Sequence, residues 1–331
     1  DGQAEWLGFI PHAALPNAMN PEQGYFVNWN NKPTFQWANT TGGFWNWGPV
    51  ARVQTLINAV SQFPPGSVTV AAIEGVNLRA GWTLDTPSGN QSSVPVSTLL
   101  PALLGLVEPS ADQRLPGILG LLGGWDLLKT DLAPTDGRYD NPAVAIFNTW
   151  FLGLVDRVFG DELGGALERN AAANMVARLL IPGLVPFNYP GYLGGETPKG
   201  AVTGALVDAI DGLTAEHGST NPADWLAPAT MQVWRQIGAA PVPDTPHMNR
   251  GTYNQITHLK KGDIFAENVI APGQSGNPLT ATGFNPHFAD QLLNYATWQY
   301  KDMYLTKSSL KGHRESTTVL KNTKKAKKGD R

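Results

Sequence analysis

The spacing of apolar residues changes period twice along this chain, and that order constrains the fold more than any single residue. Near the N-terminus, GYFVNWN (24–30) alternates: Tyr25, Val27 and Trp29 share one face, while Phe26, Asn28 and Asn30 share the other. From about 47 to 240 the spacing is helical, interrupted by loops containing Pro and Gly. The clearest helix starts at Asn141-Pro142, a cap followed by proline at the first helical position. Val144, Ile146, Phe147, Trp150, Phe151, Leu154, Val155 and Val158 then recur at helical intervals, and Gly160 reads as the stop. A second helix runs over about 163–181. Weaker candidates lie at 50–62, 68–80, 97–106, 201–213 and 223–237. Alternation returns in YNQITHL (253–259) and DIFAENVIA (263–271), which flank Lys260, Lys261 and Gly262 as a hairpin. A helix is expected at about 286–298. Strand, long helical excursion, strands and helix make an α+β layout in which the excursion interrupts a sheet.

A chain of 331 residues can bury one large core or two ordinary ones. A net charge of −3 argues against a nucleic-acid binder. The basic residues gather late: Lys307 to Arg331 holds nine Lys or Arg against Glu315 and Asp330. The end of that stretch, 321–331, has no apolar periodicity and reads as a basic, disordered tail. The absence of cysteine removes disulfides, thiolate chemistry and Cys-bound zinc, and fits an exported protein. No secretory signal is visible at Asp1, so any targeting signal is expected upstream. No apolar run approaches 18 residues; the nearest, LPGILGLLGGWDLL (115–128), is broken by glycines, so no membrane span is expected.

The usual chemical signatures fail. GQSGNP (273–278) has Ser275, but position 277 is Asn, so the G-x-S-x-G elbow is not formed. The same glycines lack the Lys-Ser/Thr pair of a phosphate loop. The six histidines are scattered with no i, i+4 pair, which argues against zinc. Carboxylates are dispersed, and their spacing nominates no pair at glycosidase separation. Trp29, Trp37, Trp45 and Trp47 fall within 19 residues and serve either a core or a ligand wall. The residues alone describe a soluble α+β protein with an aromatic-rich N-terminal region.

Several stretches go further. NPEQGYFVNWNNKP (20–33) resembles the "NP..GY..NWNN.P" signature of the large subunit of penicillin acylases, which are N-terminal-nucleophile hydrolases. WGPVARV (47–53), NRGTYN (249–254), VIAPGQSG (269–276), HFADQL (287–292) and YLTKSSLKGHRES (304–316) follow in family order. The likeness runs from about residue 6 to 320, close at both ends and loose across 54–240. It implies that residues 1–320 are the C-terminal part of that subunit. It implies a four-layer αββα fold, partly present here. Residues 1–46 and 248–300 would contribute to sheets, with 47–240 mainly helical.

The resemblance also implies roles. The first Asn after the motif's Trp, Asn30, lends its side-chain amide to the oxyanion hole, and Asn31 is structural. Arg52 orients the catalytic constellation and tunes charge around the nucleophile's amine. Trp29 and Trp45 are candidate walls of the substrate pocket. Asn249 and Arg250 form a structural network near the site. The family's nucleophile is an N-terminal Ser whose own amine acts as base. Asp1 cannot do this, so companion chains are expected to carry the small subunit and the Ser-bearing part of the large one. The substrate would be a small N-acyl amide, with no nucleic acid and no membrane involved. No cofactor is required. Calcium is allowed on the assembled enzyme, but Thr41 stands where the family supplies an Asp ligand, which argues against calcium through this chain. The family implies a periplasmic or secreted location. The same chemistry on acyl-homoserine lactones or N-acyl amino acids is an alternative. So are an inactive acylase-fold scaffold and a Trp-based carbohydrate-binding module.

Overall fold

The computed structural model describes residues 5, 8–34, 37, 47, 50–84, 94–132, 135–164, 169–180, 190–234 and 242–319. The chain divides into two units: Asp1–Gln236 with Pro241–Arg250, and Ile237–Ala240 with Gly251–Arg331.

The first unit is helical. Its helices are α1 (Val50–Val60), α2 (Val70–Trp82), α3 (Val96–Leu104), α4 (Leu115–Gly123), α5 (Pro142–Leu163), α6 (Arg169–Leu180) and α7 (Pro198–His217). A two-residue antiparallel pair, β1 (Met231–Gln232) with β2 (Thr245–Pro246), follows. The spine is α5. Asn141 accepts the Ala143 N–H at 2.9 Å and Pro142 fills the first helical position, so the start follows from two residues. The helix runs through Gly160 and ends at Gly164, whose φ of 47° no longer fits a helix. Ile146, Phe147, Trp150, Phe151, Leu154, Val155 and Phe159 are all buried, so α5 is apolar around most of its circumference. By length and composition Pro142–Asp161 could cross a membrane, but most of it is covered by this unit's own core. Trp150 Nε1 donates to Val202 O at 3.0 Å and fixes α5 against α7. Small residues on α7, Ala201, Ala205 and Ala209, are buried in the same core.

Sequence expectation and structure part in two places in this unit. The segment 223–237 is not helical where described: Pro222–Asp224 is a single 3-10 turn, and Met231–Gln232 is a strand. Pro222 and Pro228 deny a helix its backbone donors. The expected strand at 24–30 is not formed: these residues are extended and then bend, with no ladder partner among the described residues. Their predicted alternation survives, with Tyr25, Val27 and Trp29 half-buried and Phe26, Asn28 and Asn30 exposed.

The second unit holds β3 (Tyr253–Lys260), β4 (Asp263–Ile270), β5 (Leu279–Thr280), β6 (Gly283–Phe284), α8 (Leu292–Ala296) and β7 (Lys301–Asp302). β3 and β4 form the expected hairpin, in register from Tyr253↔Ile270 to Lys260↔Asp263, with Gly262 turning at φ 82°. β7 joins the far edge of β4, and β5 pairs with β6. The helix expected at 286–298 shrinks to Leu292–Ala296. The carbonyl of His287 accepts the Ser275 N–H at 3.1 Å instead of serving a helix. The two motifs VIAPGQSG and HFADQL therefore meet: buried Gln291 accepts the Ile270 N–H at 3.0 Å and donates its own N–H to Pro272 O.

Candidate active site

Three segments of the first unit converge on Arg52. The first is the turn Asn28–Asn31. Asn28 Oδ1 accepts the Asn30 N–H at 2.8 Å, and Asn31 Oδ1 accepts the Trp29 N–H at 3.0 Å. These crossed side-chain bonds bend the chain without a strand partner, and they leave Asn30 at φ 60°. Asn is among the few residues other than Gly that tolerate this left-handed geometry. Asn30 is exposed, and its side-chain amide bonds no described residue. The expectation of an amide fixed at the end of a buried strand is thus replaced by an amide presented at a bend. Asn31 is half-buried, and its Nδ2 also donates to Lys32 O.

The second segment is the start of α1. Arg52 lies in its first turn, where the helix dipole opposes a cation by roughly 0.3–1 kcal/mol. Tertiary contacts hold it there. Its Cζ sits 4.7 Å over the Trp29 ring, a cation–π contact worth about 0.5–1 kcal/mol or more. Its Nη2 donates to Asn249 Oδ1 at 3.1 Å. A charged group placed against its local preference and retained by distant partners is the pattern of a functional position.

The third segment is the chain from Thr245 to Arg250. The Asn249 N–H donates to Gly81 O at 2.8 Å, taking a carbonyl in the last turn of α2. That end of α2 is pinned again by Lys129 N–H to Trp82 O and Leu84 N–H to Leu127 O, beside the fully buried Trp82. Arg250, half-buried, follows directly and donates its N–H to Met248 O. Half-buried His247 is held below its ordinary pKa by burial first and by Lys129 second.

Of the residues singled out from sequence, Trp29, Arg52 and Asn249 come into contact, and Asn30, Asn31 and Arg250 adjoin them in the chain. Trp29 lies under Arg52, a role its sequence position did not disclose. The Gly81 carbonyl was missed altogether, because a backbone acceptor leaves no residue-type signal. Trp45, Thr41 and the basic tail at 321–331 lie outside the described residues. Among the described residues no three His, Asp or Glu side chains gather as a metal site.

The family model "Penicillin amidase" matches residues 1–312. The chain belongs to the penicillin amidase family. A relative, penicillin G acylase of Escherichia coli, is 25% identical over 356 aligned residues that cover 96% of this chain and 40% of the relative. A solved structure, the thermostable penicillin G acylase from Alcaligenes faecalis, matches with a TM-score of 0.71 at 24% identity. The match covers 98% of this chain and 61% of that one. This penicillin amidase family member is therefore α+β with the N-terminal-nucleophile hydrolase fold of that neighbour. It spans 40% of the length of the Escherichia coli relative and 61% of the solved chain.

Proposed function

We propose that this chain is the C-terminal part of the large subunit of an amidase that hydrolyses N-acyl amides through an acyl-enzyme. The nucleophile is a Ser at the N-terminus of a companion segment, which would supply the length that the relatives have and this chain does not. Its own α-amine takes the hydroxyl proton as the oxygen attacks the amide carbonyl, and returns it to the leaving amine. The carbonyl oxygen becomes anionic, and Asn30 Nδ2 donates to it. A neutral, pre-placed donor needs no reorganisation as that charge develops. Arg52 contributes fixed positive charge, which favours the unprotonated amine as base.

The observation that carries this reading is the pairing of an uncommitted Asn30 amide with an Arg52 held at a dipole-disfavoured position by Trp29 and Asn249. Assembly with the companion segment, a small N-acyl substrate and a periplasmic or secreted location belong to the same proposal. Acyl-homoserine lactones and N-acyl amino acids are alternative substrates for the same machinery; an inactive scaffold is the alternative of another class. The test is Asn30→Ala in the complete enzyme, assayed on chromogenic N-acyl anilides. The rate should fall about 10²–10³-fold. An unchanged rate would remove Asn30 from the chemistry, and absence of any turnover by the wild type favours the scaffold.

A further inference from the structure

We propose that Asn249 is a positioning residue for amide hydrolysis, fixing the Arg52 guanidinium and, through Trp29, the presentation of the Asn30 amide. The inference rests on the functional reading above and deepens it. Arg52 is the one member of the cluster that its own helix disfavours, so its placement depends on what grips it. The Trp29 ring supplies a surface that sets height but not rotation: a cation over a ring face can slide and turn at little cost. The Asn249 carbonyl oxygen at 3.1 Å is a directional acceptor, and it selects one orientation of the planar guanidinium.

That acceptor is itself anchored. The Asn249 backbone N–H is bonded to Gly81 O at the end of α2. The neighbouring Trp82 and Leu84 are tied to the 127–129 segment. The side-chain oxygen is therefore carried by a backbone held at the buried end of a helix, rather than by a free loop. From there the ordering passes to the turn. Arg52 sits on the Trp29 ring, Trp29 is tied through its N–H to Asn31, and Asn30 lies between the two at φ 60°. A residue 197 positions beyond Arg52 in the chain thus sets the rotation of the group that packs on Trp29.

The experiment uses the complete enzyme, with Asn249→Leu and Asn249→Asp compared against Asn30→Ala on a chromogenic N-acyl anilide. Leu keeps the volume and removes the acceptor, so kcat should fall ~10-fold with KM unchanged, the effect of losing one charge-assisted bond that orients a group. Asp keeps the acceptor and should restore most of kcat. Its carboxylate also offsets the Arg52 charge, so the acid limb of the kcat–pH profile should move to higher pH. The indole N–H resonance of Trp29, assigned by its loss in Trp29→Phe, should shift in Asn249→Leu and return in Asn249→Asp. Native kcat in Asn249→Leu overturns the proposal. So does equal loss in both variants with an unmoved pH profile and an unmoved Trp29 resonance, which is the result a purely structural Asn249 gives. If Asn30→Ala leaves the rate unchanged, the functional reading fails and takes this proposal with it; loss at Asn30 with none at Asn249 sinks the proposal alone.

Discussion

The guanidinium of Arg157 occupies the space that a side chain at residue 204 would need: a Cβ on Gly204 would lie 2.8 Å from Arg157 Cζ. From that seat Arg157, on α5, bonds Glu196 at 2.9 and 2.6 Å and Asp208, on α7, at 2.9 Å. Gly212, two turns further along α7, meets nothing within 4 Å of its added Cβ. The two glycines should respond oppositely to alanine. Gly212→Ala should raise stability by about 1 kcal/mol through helix propensity. Gly204→Ala should gain nothing or lose stability, because it unseats Arg157. Denaturant midpoints measure both, and equal stabilisation by the two would rule out the crowding argument.

Gly273 is a tighter case. A Cβ there would approach the backbone carbonyl oxygens of His287 and Phe288 at 2.5 and 2.6 Å, and backbone cannot swing aside. Gly273→Ala should cost about 1–3 kcal/mol, the usual range for overpacking. Gly276→Ala, with open space around it, should be close to neutral. Hydrogen exchange of the β3–β4 amides would register the difference, and matched protection in both variants would contradict it.

Asn30 combines a backbone at φ 60° with, in the proposed mechanism, a donor side chain. Substitution can separate them. Asn30→Gly keeps the backbone and removes the donor, so stability should hold while the rate falls about 10²–10³-fold. Asn30→Ala should show the same rate loss with about 1 kcal/mol of added strain. Thermal melts beside rate measurements distinguish the two, and full activity in Asn30→Gly would mean that only the bend matters.

Acid should destabilise the chain in two stages. The His247 pKa is lowered in the folded state by burial and by Lys129, so folding favours its neutral form. Its contribution is present above its ordinary 6.5 and is lost as pH falls through the lowered folded value. Asp112 is held at about 2 by its hydrogen bonds from Arg114, against an ordinary 3.8. Its contribution is full above 3.8 and disappears as pH falls towards 2. Asp131 acts in the other direction: burial raises its pKa, so its contribution is present below 3.8 and lost as pH rises through the folded value. Stability measured from pH 7 to pH 3 should fall first below 6.5, and His247→Gln should remove that first fall alone.

Much of the helical unit was legible because its signals are local. Asn141-Pro142 and the apolar spacing after it placed the start and face of α5. Its end was missed by four residues: Gly160 stays inside the helix, and the stop falls at Gly164, where φ turns positive. The hairpin was legible for the same reason, through Gly262 and two alternating runs. The strand at 24–30 was not, since alternation reports a half-buried face and cannot report a neighbouring strand. The site divided likewise. Asn30, Arg52 and Asn249 were visible as residue types within motifs. The contact of Arg52 with Trp29 and Asn249, and the Gly81 carbonyl behind it, arise from tertiary packing and had no signal in the sequence.

Because α5 is apolar around most of its surface, part of its cover comes from elements made later. α6 and α7 emerge from the ribosome only after it, and at roughly 5–20 residues per second the side they cover stays open for seconds. During that interval its length and apolar composition are those of a segment able to cross a membrane. The timing of its concealment, as much as its final packing, then decides how much of the synthesised protein reaches the folded state.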